Sequence, residues 1–150
     1  MSHNLTVIRP GDANEVKEAW IAAMQNQTGP TALLLTRQGL PTLDRSVYPS
    51  ASGLHQGAYT LWQSGEGSPD ILLIATGSEV ELALNAAEKL AEEAVNVRVV
   101  SMPSCELFEQ QDGAYQESVL PDACDLRVAI EAGTSFGWER YVGRKGAMIC

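Results

Sequence analysis

The feature that most constrains this chain is the alternation of short apolar or β-branched runs with segments of helical periodicity. The runs are typical of buried strands, and the amphipathic segments between them are typical of crossover helices. The pattern predicts strands at 6–8, 31–36, 58–63, 71–75, 97–101, 126–130 and 147–150, with helices at 13–26, 79–90, from 105, 112–120 and 136–142. This order indicates an α/β fold built on a largely parallel sheet.

The predicted elements divide into three parts. Residues 57–150 should form a three-layer α/β/α sandwich whose sheet is mostly parallel with one antiparallel edge, the strand at 58–63. Residues 1–40 form a β-α-β unit, and the proline- and glycine-interrupted stretch 41–56 is predicted to be a linker on a surface. A β-α-β unit has too few strands for a sheet of its own, and the strand at 147–150 has no helix to cover it. We therefore expect both ends to belong to a larger protein, and 1–40 to be poorly anchored or packed against another copy.

The composition excludes several classes of function. Nineteen acidic residues against ten basic ones give a net charge of −9, which disfavours nucleic acids and anionic membranes as partners. Three cysteines without a C-x-x-C pair indicate neither a disulfide framework nor a zinc site. The sequence has no bilayer-spanning apolar run and no signal-peptide pattern, so a cytoplasmic location is expected.

Two capping boxes are predicted at helix starts. Asp12 lies three residues before Glu15, and Ser78 lies three residues before Glu81. In each pair the first side chain would accept a hydrogen bond from the helix backbone, and the second would reach back to the cap.

A G-x-S-x-G motif at 133–137 lies between a predicted strand and a predicted helix, which is the setting of a hydrolase nucleophile elbow. Such a serine, here Ser135, needs a histidine downstream as its general base. Both histidines, His3 and His55, lie upstream. A turn of small residues is therefore the favoured interpretation.

Three further positions could bind or transform a ligand. The turn at 76–78 could place a phosphate on free backbone N–H groups, but Glu79 and Glu81 follow directly and favour a structural cap. Glu131 follows the strand at 126–130, where it could be a general base or, as we favour, a group that caps backbone and solvates the rim. Arg37 follows the strand at 31–36 directly, and a guanidinium held there suits bidentate phosphate binding. From its position alone, Arg37 could equally be an ordinary surface arginine.

Six segments in order resemble the transketolase family across nearly the whole chain. They are TVIRPGDANE at 6–15, GPTALLLTRQ at 29–38, IATGSEVELA at 74–83, VVSMPS at 99–104, SVLP at 118–121, and EAG at 131–133 with Gly137, Trp138 and Tyr141. The resemblance implies the end of the family's pyrimidine-binding middle domain followed by most of its C-terminal domain.

The resemblance also implies a function. Transketolases use thiamine diphosphate and Mg²⁺ (or Ca²⁺) to move a two-carbon ketol unit from a ketose phosphate to an aldose phosphate in the pentose phosphate pathway, and they are dimers. The family's phosphate-binding arginine corresponds here to Arg37. Its metal-diphosphate motif has no counterpart, since Gln111-Asp112-Gly113 lacks the partner asparagines. We assign no catalytic, cofactor-binding or metal-binding residue, and we expect this chain alone to bind no cofactor and to be inactive.

Three alternatives stay open from the sequence. The chain could be the non-catalytic C-terminal subunit of a split transketolase. It could also belong to a related thiamine-dependent enzyme, such as deoxyxylulose phosphate synthase or a ketoacid dehydrogenase β chain. A serine hydrolase is the weakest alternative, because Ser135 has no usable base.

Overall fold

The computed structural model describes residues 4–150 and contains a two-stranded and a five-stranded sheet. The strands are β1 (Thr6–Ile8), β2 (Thr31–Leu33), β3 (Tyr59–Gln63), β4 (Ile71–Ala75), β5 (Val97–Ser101), β6 (Arg127–Ile130) and β7 (Ala147–Ile149). The helices are α1 (Ala13–Gln25), α2 (Glu79–Glu92), α3 (Cys105–Glu109), α4 (Gly113–Val119) and α5 (Glu139–Val142), with a 3₁₀ helix at Ala51–Gln56.

The five-stranded sheet has the order β3-β5-β4-β6-β7. Every neighbouring pair is parallel except β3 with β5, so the predicted antiparallel edge is confirmed. The central strand β4 is the most apolar run of the sequence, as expected for a strand that is buried on both faces.

The two faces of β4 support separate apolar clusters, because successive side chains of a strand point to opposite sides. Leu72 and Ile74 pack with α3, α4 and α5, whereas Leu73 and Ala75 pack with α2. Helices therefore cover both faces of the sheet, which confirms the predicted three-layer α/β/α sandwich.

The two-stranded sheet shares no strand pairing with the larger one, but it is not poorly anchored as predicted, because Arg9 N–H donates to the carbonyl of Pro103 after β5 (2.8 Å). β1 and β2 are parallel, with Ile8 opposite Leu33, and α1 connects them. The prediction that the second strand extends over 31–36 is wrong, because β2 ends at Leu33. Its partner β1 ends at Ile8, whose carbonyl accepts the last bond of the ladder from Leu34 N–H (2.9 Å), and beyond Ile8 there is no strand to pair with.

Two other predictions differ from the structure in detail. The stretch at 41–56 is more than a surface linker, because its 3₁₀ helix buries Leu54 completely against Ile8 and Ala19. α5 begins at Glu139 rather than at 136. Gly137 has a positive φ of 90°, which no helix accommodates, and Phe136 is 87% exposed.

Candidate functional site

Arg37 is the one binding residue that the sequence proposed, and it lies in an exposed turn past the end of β2. The expectation that it follows its strand directly is wrong, because three residues, 34–36, intervene. Gln38 N–H donates to Thr36 Oγ1 (3.1 Å), which closes a small turn around Arg37. The guanidinium forms no ion pair with any carboxylate of residues 4–150. The turn therefore presents a cation that an anionic ligand could reach.

Two depressions flank the segment that leads to Arg37. The larger, of about 350 Å³, lies between residues 34–36 on one side and the loops after β4 and β6 on the other. The smaller, of about 250 Å³, lies between Leu35, Thr36 and Gln38 and the start of α1. Arg37 is the neighbour of residues that line both depressions, so the turn borders space of the size of a small metabolite.

Glu131 lies at the carboxyl end of β6, as expected, but it does not solvate the rim. The residue is only 6% exposed and forms an ion pair with Arg9 from the segment after β1. The same carboxylate oxygen, Oε1, accepts the N–H of Gly133 (2.8 Å), so the predicted backbone cap is confirmed. Burial rather than solvation follows from the approach of Arg9, which covers the carboxylate.

A second buried carboxylate, Glu15, connects α1 to the five-stranded sheet. Its Oε1 accepts hydrogen bonds from Tyr59 Oη on β3 (2.6 Å) and Ser101 Oγ on β5 (2.7 Å), and its Oε2 accepts Gly11 N–H (2.7 Å). Burial raises the pKa of Glu15 above its ordinary value, although the three hydrogen bonds oppose that shift. Burial also raises the pKa of Tyr59, so the phenol stays a donor.

Asp12 confirms its predicted role as the cap of α1 and has a second role that the sequence did not indicate. Oδ1 accepts Glu15 N–H (2.8 Å), as a capping side chain should. Both carboxylate oxygens also accept from Arg45 Nη2 at 3.0 Å, and Leu43 N–H donates to Oδ2 (3.0 Å). The stretch at 41–56 is thus fastened to the start of α1.

The predicted cap at Ser78 is wrong. Ser78 makes no side-chain bond to the helix backbone, and its hydroxyl instead donates to Glu79 Oε1 (2.7 Å). The turn at 76–78 is held from outside α2, because Gly77 N–H donates to the carbonyl of Arg9 (3.1 Å). A phosphate could not rest on that N–H without displacing the bond.

The other candidate residues do not converge. Ser135 is exposed in the loop before α5, while His55 lies on the 3₁₀ helix, where its Nε2 is 2.9 Å from Glu18 Oε2. His3 lies outside the described residues. Asp112 caps α4 through Tyr115 N–H (2.8 Å), which accounts for the Gln111-Asp112-Gly113 segment.

Within residues 4–150, no group of three or more His, Cys, Asp or Glu side chains could hold a metal ion. No helix in this part of the chain is long and apolar enough to cross a membrane.

The sequence interpretation missed Arg9 and the role of Glu15 in the sheet. The sequence pattern predicts no role for Arg9 and predicts Glu15 only as one half of a capping box. An arginine between a strand and a proline was the available signal. However, its partners Glu79 and Glu131 lie 70 and 122 positions further along the chain, a separation that no local pattern bridges.

Comparisons with known proteins identify relatives of this chain. The family described as the transketolase-like TK C-terminal domain matches residues 57–150. The transketolase of Aquifex aeolicus is 51% identical over 146 residues, which cover 97% of this chain and 21% of that protein. The chain therefore spans about a fifth of the length of the curated relatives it matches.

Solved structures give the same result. The transketolase of Pichia stipitis in complex with sedoheptulose-7-phosphate is 36% identical with a TM-score of 0.85, covering 97% of this chain and 20% of that one. A split-gene transketolase described as an inactive β4 tetramer has a TM-score of 0.69 at 19% identity, covering 97% of this chain and 48% of that one. The second likeness concerns the fold alone.

Proposed function

The chain belongs to the transketolase family, and we propose that it supplies the sugar-phosphate-binding end of an enzyme that transfers a two-carbon ketol unit from a ketose phosphate to an aldose phosphate. In this proposal residues 1–40 are the end of the pyrimidine-binding domain, and residues 57–150 are most of the C-terminal domain. Residues 41–56 are the linker between them. The observation that carries it is the exposed Arg37, whose guanidinium has no carboxylate partner within residues 4–150.

The role proposed for Arg37 is to bind the phosphate group of the sugar. A guanidinium offers a planar pair of N–H donors that matches two phosphate oxygens. The overall charge of −9 repels an anion, so capture must come from a local cation. The Pichia stipitis transketolase was solved with sedoheptulose-7-phosphate, and a phosphorylated sugar is the class of substrate proposed here.

The residues that bind thiamine diphosphate and its divalent metal would lie outside the described part of the chain. The divalent metal needs several converging oxygen ligands, and no group of three or more His, Cys, Asp or Glu side chains within residues 4–150 could hold one. The chain alone is therefore proposed to be inactive, and the cofactor to be held by the remaining parts of the enzyme. Cytoplasmic location and a place in the pentose phosphate pathway complete the proposal.

A homodimer is also proposed for the complete enzyme. Large apolar side chains lie exposed on the first part of the chain, among them Trp20 (55%), Met24 (81%), Leu34 (52%) and Leu35 (52%). Where exposed apolar side chains of this size are contiguous, they are typical of a surface that another part of an assembly covers. Size-exclusion chromatography at two concentrations measures whether copies of this chain already associate.

The test of the phosphate site compares two arginine variants. Fructose 6-phosphate is titrated into the chain and into Arg37→Gln and Arg144→Gln, with the shifts of the arginine Nε–Hε signals as the readout. Arg144 is the matched control because it too is exposed and lies beyond α5, away from the turn. We expect Arg37→Gln to weaken binding about tenfold or more and Arg144→Gln to leave it unchanged. Equal affinities for all three proteins would refute the proposal.

A separate titration tests inactivity. Thiamine diphosphate with MgCl₂ is added to the isolated chain, and saturable micromolar binding would contradict the proposed division of labour. Purification from the source cell distinguishes a split enzyme, since a separate subunit with the thiamine site should then accompany this chain.

A further inference from the structure

The carboxyl edge of the five-stranded sheet contains a crevice of the kind in which open α/β sheets bind ligands. α2, which follows β4, packs on one face of the sheet, whereas α5, which follows the neighbouring strand β6, packs on the other. The loops after these two parallel strands therefore diverge. The space between them is the usual ligand position of such a sheet.

Arg9 occupies this crevice in the structure. Its N–H donates to the carbonyl of Pro103 after β5 (2.8 Å), and its own carbonyl accepts from Gly77 after β4 (3.1 Å). Its guanidinium pairs with Glu131 after β6, and Nη2 lies 3.6 Å from Glu79 Oε2 at the start of α2. One residue thus contacts the ends of three adjacent strands.

The charges of the crevice match a guanidinium ion. Glu79 and Glu131 have side chains that are 14% and 7% exposed, so both carboxylates are largely removed from water. Glu79 Oε2 accepts no hydrogen bond from residues 4–150, which leaves the charge of Arg9 as its compensation. Removing one partner of a buried pair is strongly unfavourable, because the remaining charge is stranded.

The turn beside the guanidinium requires glycine at position 77. Gly77 has a positive φ of 59°, a conformation that other residues rarely adopt, and a Cβ there would lie 3.5 Å from Arg9 Nη2, at ordinary van der Waals distance. Lysine could not reproduce the arrangement, because a single ammonium has no planar fork with which to reach two carboxylates on different elements.

The position of Arg9 couples the crevice to the turn that carries Arg37. Arg9 follows β1 directly, and β1 is the only strand that pairs with β2 among the described residues. Residues 34–36 face Arg9 and Gly77 across the depression of about 350 Å³. Any shift of Arg9 therefore moves the two-stranded ladder that precedes Arg37.

We infer that Arg9 is a positioning residue: its guanidinium is the built-in ligand of the crevice and fixes the Arg37 turn at the sheet edge. The contacts of the Arg9 guanidinium with Glu79 and Glu131 are called the clamp below. That the clamp serves phosphate binding rests on the proposed function, whereas the clamp itself does not.

Chemical rescue tests the clamp. The Leu34 N–H donates to the carbonyl of Ile8. Arg9→Ala should accelerate hydrogen exchange of this amide by about tenfold or more, while the amides of β4 keep their exchange rates. Millimolar guanidinium chloride should restore the protection of the Leu34 amide, because the free ion can bind between Glu79 and Glu131 in place of the missing side chain. Sodium chloride of equal ionic strength should not. Arg9→Lys should be intermediate, and Arg144→Ala should match the parent chain with either salt.

Two results would overturn the clamp. One is an unchanged Leu34 exchange rate in Arg9→Ala, and the other is equal restoration by guanidinium and sodium chloride. Should Arg9→Ala fail to fold, Glu131→Gln replaces it, since the amide keeps the shape and removes one charge. Leu34 should then exchange several-fold faster than in the parent chain, and an unchanged rate overturns the inference.

Fructose 6-phosphate binding separates the clamp from the proposed function. If Arg37→Gln binds as tightly as the parent chain, the proposed function fails and the exchange data still decide the clamp. If Arg37→Gln weakens binding, Arg9→Ala should weaken it several-fold with recovery in guanidinium. If Arg9→Ala exchanges the Leu34 amide faster but binds fructose 6-phosphate as tightly as the parent chain, Arg9 has a structural role and no positioning role.

Discussion

The first and last parts of this chain are held together by different kinds of interaction. The five-stranded sheet buries an apolar cluster on each face. The β1-α1-β2 part has one fully buried cluster of three residues, Ile8, Ala19 and Leu54, and the last of these comes from the 3₁₀ helix. Besides the packing of Leu107 against that cluster, its attachment to the larger sheet includes the charged residues Arg9 and Glu15.

The difference shows how a small supersecondary unit can be placed accurately with only a small core. Apolar burial scales with the area removed from water and is indifferent to direction. Hydrogen bonds and ion pairs require specific partners and geometry, so they fix orientation even where they add little net stability. A unit that carries the proposed phosphate-binding residue Arg37 would gain from the second kind of attachment.

The largest contrast should come from truncating apolar side chains in the two parts. Ile74→Ala removes a completely buried side chain between two strands and should lower the free energy of unfolding by about 2–5 kcal/mol. Leu34→Ala removes a side chain that is 52% exposed and should change it by no more than about 0.5 kcal/mol. Urea unfolding followed by circular dichroism measures both, and similar losses would contradict the comparison.

Two aspartate caps provide the next test. Asp12→Ala removes a cap and also the carboxylate that accepts from Arg45 Nη2, which should cost about 2–3 kcal/mol in the opening free energy of α1. Asp112→Ala removes only the cap of α4 and should cost about 1 kcal/mol. Native-state hydrogen exchange of the two helices gives both values. Equal costs would mean that the Arg45 contact adds nothing.

The pH dependence of the attachment should follow Glu15. Burial raises its pKa in the folded protein above the ordinary 4.5, so the folded state binds the proton more tightly than the unfolded state. From about pH 4.5 up to the raised pKa, its contribution to stability should therefore fall as the pH rises. Hydrogen exchange of α1 against pH should show that decline, and Glu15→Gln should remove it. A Glu15→Gln profile parallel to that of the parent would assign the decline to other groups.

The smallest effect should come from an exposed ion pair of the larger sheet. Lys145 Nζ lies 2.6 Å from Asp125 Oδ2, with both side chains more than half exposed. Water and salt screen such a pair, so Lys145→Ala should leave the midpoint of urea unfolding unchanged. A clear loss there would show that surface charges stabilise the sheet as well as the first part.

The sequence predicted the strands best where one apolar run is buried on both faces. β4 and β5 begin and end at the predicted residues, because their boundaries are marked by turns and polar residues in the chain itself. β2 ended three residues early, because the length of a strand depends on its partner. Ser78 failed as a cap for a similar reason, since its turn is held by the carbonyl of Arg9.

The sequence by itself determined the α/β class, the layers, the antiparallel edge and the resemblance that singles out Arg37. These depend on periodicity and on contiguous motifs, which a linear pattern contains. Only the tertiary structure decided that Arg9 fills the crevice between β4 and β6, and that Glu15 lies between Tyr59 and Ser101. Such contacts join residues far apart in the chain, and burial, which no local pattern reports, gives them their strength.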